Sequence, residues 1–174
     1  MGSLAHDDAI CVADQNDAKS VVRAALAKSV AETPEVDLLG SIGSAAATDA
    51  GKTLGIVVVG SGLQTTGTLD FAENDLLYGD PASIAQQMDA SGDLPTGLKG
   101  VTVYWSGITD VAGRQTRLTE SAGKNLAAIW SAVLAKAGAR LELLPEHLTG
   151  NAELGAPGHD ARCRSLCAAE AGLD

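Results

Sequence analysis

Apolar and small residues recur at helical spacing over residues 16–31, where Val21, Val22, Ala25, Leu26, Ser29 and Val30 share one stripe behind a capping Asn16 or Asp17. Thr33-Pro34 ends that helix, because the residue before a proline is pushed out of the α region. A second helix is predicted over 35–49, with Val36, Leu39, Ile42 and Ala46 on one face. Gly40 and Gly43 fall inside it, each costing about 1 kcal/mol relative to alanine. Leu54 to Val59 then reads as a strand. Ile56 to Val59 are four consecutive β-branched residues without alternation, the pattern of a central parallel strand buried on both faces. It runs into a polar glycine-rich loop from Gly60 to Gly67.

Asp80 at an N-cap and Pro81 at the first helical position start a helix over 81–91, ended by Gly92 and Pro95. A strand follows over 101–105 and breaks at Ser106-Gly107. The longest helix is predicted over 119–137, capped by Thr119, with Leu126, Ile129, Trp130, Val133 and Leu134 on one face and Gly138 at the C′ position. Residues 141–144 make a short strand ended by Pro145. The order of elements implies an α/β fold with parallel strands joined by right-handed crossovers. Three strands are too few to cover both faces of several helices, so a further strand is missing or is supplied by residues 8–13. The expected organisation is an N-terminal segment at 1–15, an α/β domain at 16–148 and an irregular or disordered tail at 149–174.

Charge narrows the partners. With 22 acidic against 12 basic residues, the 174-residue chain carries a formal charge of -10, which disfavours nucleic-acid backbones and anionic membrane surfaces. No purely apolar run, Ile56–Val59 included, approaches the length of a membrane span, no signal-peptide pattern begins the chain, and His6 stands where a myristoylation motif needs Ser or Thr. The expectation is a soluble chain without a membrane span, not exported by itself. The three cysteines are an odd set; Cys163 and Cys167 with His159 lack a second ligand pair, so they and Cys11 read as incidental thiols.

Few residues point to chemistry. Ala46 to Thr53 fits a relaxed phosphate-loop pattern, but a helix precedes it and a strand follows, the reverse of the working order. Gly60-x-Gly62 is half of a dinucleotide fingerprint, with Thr65 at the third position and no acidic residue at a strand end about twenty positions on. Ligand sites of open parallel sheets lie at the C-terminal ends of strands. There Ser61, Gln64, Thr65 and Thr66, with Ser106, Thr109 and Asp110 after the next strand, form one plausible polar pocket. The competing reading is that these side chains satisfy loop backbone groups. No Gly-x-Ser-x-Gly elbow is present, His6, His147 and His159 have no firm place in the pattern, and Asp70, Glu73 and Asp75 read as a solvated loop. No catalytic residue is predicted.

Thr33-Pro34-Glu35-Val36-Asp37-Leu38-Leu39, the run from Ile56 to Thr65, Leu69-Asp70-Phe71, Leu94-Pro95, Gly100-Val101-x-Val103, Leu126-x-x-Ile129-Trp130 and Gly138-Ala139 together resemble a bacterial domain. It is the von Willebrand factor A-like region found upstream of the OmpA-type peptidoglycan-binding domain in actinobacterial envelope proteins. The resemblance spans residues 15–148 and is most distinctive from Gly60 to Thr65. It implies a three-layer Rossmann-like sheet, mostly parallel and flanked by helices, in an extracytoplasmic protein. The role it implies is a non-enzymatic scaffold or interaction module, here a truncated middle segment, whose partners are another envelope protein or the missing domains of its parent chain. Peptidoglycan binding is not carried over, since the domain that performs it is not among these residues. The Asp-x-Ser-x-Ser cluster of metal-binding A domains is also absent, and Thr65, Thr66 and Asp110 alone give a hard cation too few oxygens. Neither metal nor cofactor is expected. The alternative is a small-molecule or nucleotide-binding Rossmann-like enzyme using the loops after residues 60 and 105; a third possibility is a fragment that folds poorly.

Overall fold

The computed structural model describes residues 35–48, 55–73, 75–111 and 117–144, together with scattered positions between 17 and 28. Two units are distinguished, Thr33–His147 and one made of Met1–Glu32 with Leu148–Asp174. In the latter, the described positions from Asp17 to Lys28 are helical, as the spacing predicts. Val21, placed by that spacing in the apolar stripe, is instead 67% exposed. The strand expected at 8–13, the tail, residues 49–54, all three histidines and all three cysteines lie outside the described residues.

The other unit contains helix α1 (Leu38–Thr48), strand β1 (Gly55–Val59), a 3-10 turn (Leu76–Tyr78), helix α2 (Pro81–Ser91), strand β2 (Thr102–Ser106), helix α3 (Glu120–Lys136) and strand β3 (Arg140–Leu143). The three strands form a parallel sheet in the order β1-β2-β3, with Val57 beside Tyr104 and Tyr104 beside Glu142. The helix boundaries follow their capping chemistry. Asp80 accepts from the Ser83 amide at 2.8 Å with Pro81 behind it, and Gly92 closes α2 in the left-handed region at φ 80°. Thr119 accepts from the Ala122 amide at 3.2 Å to open α3. Gly43, unfavourable for helix propensity, sits where a Cβ would stand 3.0 Å from the Pro95 Cβ, so its absence lets the 94–97 turn pack against α1.

Alternate residues of the sheet face opposite ways. One face presents Ile56, Val58, Val103 and Trp105, and α3 covers it with Leu126, Ile129, Trp130, Val133 and Leu134, all five fully buried. Each such side chain contributes roughly 1.5–3 kcal/mol by leaving water. Leu39, Ile42 and Ala46 of α1 and Ile84, Ala85 and Met88 of α2 join the same core.

The other face corrects the expectation for β1. Among the described residues the strand lies at the margin of the sheet rather than in its middle, with Val57 and Val59 67% and 62% exposed while Val58 is buried. An unbroken β-branched run favours extended backbone whether one face or both are covered, and identical valines hide the alternation that would have revealed a wet side.

Two exposed carboxylates tie turns together. Asp80 is held below the ordinary aspartate value by the Ser83 hydroxyl and then the Ser83 amide. Asp93 is lowered by the hydroxyls of Ser91 and Thr68, the second reaching back across the chain. Because both folded values lie below the unfolded one, this stabilisation is complete above the ordinary aspartate value and is lost as pH falls through the lowered one. An Asp80→Asn/Asp93→Asn double variant is therefore expected to lose less melting temperature than the parent between about pH 6 and about pH 2.5. Circular dichroism melts check this, and equal losses in the two proteins would contradict it.

Candidate functional site

The loop leaving β1 is held from beneath by two tryptophans. The indole N–H of Trp105 donates to the Gly60 carbonyl at 2.9 Å and that of Trp130 to the Gly62 carbonyl at 2.8 Å. Their rings pack with centroids 4.8 Å apart, tilted by 52°. Gly62 is in the left-handed region at φ 79°, where a Cβ would come within 3.0 Å of Ile108 and 3.3 Å of the Trp130 indole nitrogen. Both conformation and space demand glycine there.

From this platform the polar side chains turn inward. Gln64 is 3% exposed; its Oε1 accepts from the Leu39 amide at 2.8 Å and its Nε2 donates to the Thr66 carbonyl at 2.9 Å. The Val36 amide donates to Thr65 Oγ1 at 2.9 Å, while the Thr65 amide and the Thr66 hydroxyl donate to the Val36 carbonyl at 3.0 and 3.3 Å. With Asp37 accepting from the Gly40 amide at 2.9 Å, the start of α1 has its otherwise orphaned N–H groups supplied by its own cap and by Gln64.

Three of the residues expected to line a ligand pocket, Gln64, Thr65 and Thr66, are thus brought together around the start of α1. The other four, Ser61, Ser106, Thr109 and Asp110, lie where the loops after β1 and β2 meet. Ser61 accepts from the Leu63 amide at 3.4 Å through its hydroxyl, and its carbonyl accepts from the Thr109 amide at 2.9 Å. The buried Ser106 receives the Gly60 amide on its carbonyl at 3.0 Å, and the exposed Asp110 closes a turn by donating its amide to the Gly107 carbonyl at 2.9 Å. Asp70 accepts from the amides of Ala72 and Glu73, a local turn among exposed acids.

A cleft of about 310 Å³ opens beside this loop, unforeseen from the sequence. Ile108, Leu118, Ala127 and Leu143 line it together with Thr109, Thr119, Glu120, Gly123 and Lys124, so it lies at the C-terminal ends of β2 and β3 against the first turns of α3. Of the residues read as a pocket, Thr109 alone borders it. Thr109 has φ 79°, unusual for a β-branched residue, and packs over Gly123, where a Cβ would sit 3.1 Å from its methyl group. The pair of small residues four apart on α3, Gly123 and Ala127, was the signal available in the sequence. Among the described residues, no group of three or more His, Cys, Asp or Glu is placed to hold a metal ion.

No protein-family model, curated protein or solved structure matches the chain.

The hydrogen bonds rank the loop residues by structural weight. Gln64→Ala strands the buried Leu39 amide and is expected to destabilise the fold by about 1–3 kcal/mol. Ser61→Ala and Asp110→Ala are expected to stay within about 0.5 kcal/mol of the parent. Urea denaturation measures all three, and a Gln64→Ala midpoint equal to the parent's would remove the loop's role as a clamp on α1.

Proposed function

We propose that the chain is a non-enzymatic scaffold or interaction module of the bacterial cell envelope, of the von Willebrand A-like class that its sequence resembles. One observation carries the reading: Gln64, Thr65 and Thr66, the polar side chains best placed for ligand chemistry at the end of β1, spend their hydrogen bonds on Leu39 of α1, on Val36 just before it and within the loop itself. The parallel sheet with its connecting helices is compatible with a Rossmann-like fold, while the third layer expected from the resemblance is not seen among the described residues, where Val57 and Val59 are exposed. Extracytoplasmic placement, with an envelope protein or further domains of a parent chain as partner, follows from the resemblance alone. Among the described residues no helix is long and apolar enough to cross a membrane.

The cleft favours a second reading, a Rossmann-like protein that binds a small molecule or nucleotide through the loop after residue 105. Its position at the strand ends beside a helix start is where open parallel sheets take ligands. Thermal melts with ATP, NAD and divalent cations separate the two. A native-state ligand at a hundred times its dissociation constant adds about 2.7 kcal/mol, a rise of several degrees. The interaction module is expected to melt in a single cooperative transition that none of these compounds moves. A saturable rise with any of them would replace the first reading by the second, and a broad, non-cooperative melt would oppose both.

A further inference from the structure

We draw no further inference here: the strongest candidate, the cleft where the C-terminal ends of β2 and β3 meet the first turns of α3, belongs to the site already described, and nothing among the described residues shows what occupies or covers it.

Discussion

The loop after β1 depends on two indole nitrogens. Trp105 comes from β2 and Trp130 from α3, elements that meet only when the core has closed, and each delivers its N–H to a carbonyl of the same short glycine segment. A buried indole needs a partner for that hydrogen, and a carbonyl turned into the protein needs a donor, so each group removes the other's desolvation cost. The apolar core and the polar loop are therefore not independent. Packing of Trp130 against Trp105 and, at 6.3 Å between centroids, against Phe71 fixes where Gly60 and Gly62 can lie. The position of Gly62 in turn fixes the direction in which Gln64, Thr65 and Thr66 leave for α1.

How much of this was legible in the sequence depends on the range of the interaction. Asp80-Pro81, Gly92, Thr119 and Gly138 act on their own neighbours, and the observed bounds of α2 and α3 fall within a residue of those predicted. Strand β3 comes one residue earlier than its apolar run suggested, beginning at Arg140, because pairing with Thr102 rather than hydropathy sets its start. The position of β1 in the sheet was not legible, since four β-branched residues in a row carry no phase. The loop cluster was visible as a group, but its targets were not: Gln64 finds Leu39 across 25 positions and Thr65 finds Val36 across 29. Spacing arguments reach a few residues, and such bonds are set by tertiary closure.

These long-range bonds also bear on what the surface can do. A polar side chain free to bind a ligand must not already be committed to the backbone, and Gln64 has both ends of its amide occupied. Evicting it would expose an unpaired Leu39 amide at the start of α1. Among the described residues, what remains outward is of a different kind, a strip of backbone along β1 with Val57 and Val59 beside it, and a cleft in which Ile108, Leu118, Ala127 and Leu143 stand with Thr119, Glu120 and Lys124. An exposed strand edge recognises shape and extended backbone more readily than it polarises a substrate.

The strained residue at the cleft fits the same view. A left-handed Thr109 costs on the order of 1–3 kcal/mol and persists only if its surroundings hold it there. They do so from several sides. Its amide is bound to the Ser61 carbonyl, the next amide to the Gly107 carbonyl, and its side chain rests in the gap left by Gly123. The Ser61 bond is the direct link between the loops after β1 and β2, and it requires the Thr109 amide to point back across the sheet. Strain at Thr109 is thus accounted for by the need to join two loops at one end of the sheet. The tryptophans hold one loop, that loop holds α1, and Thr109 fastens the second loop to the first.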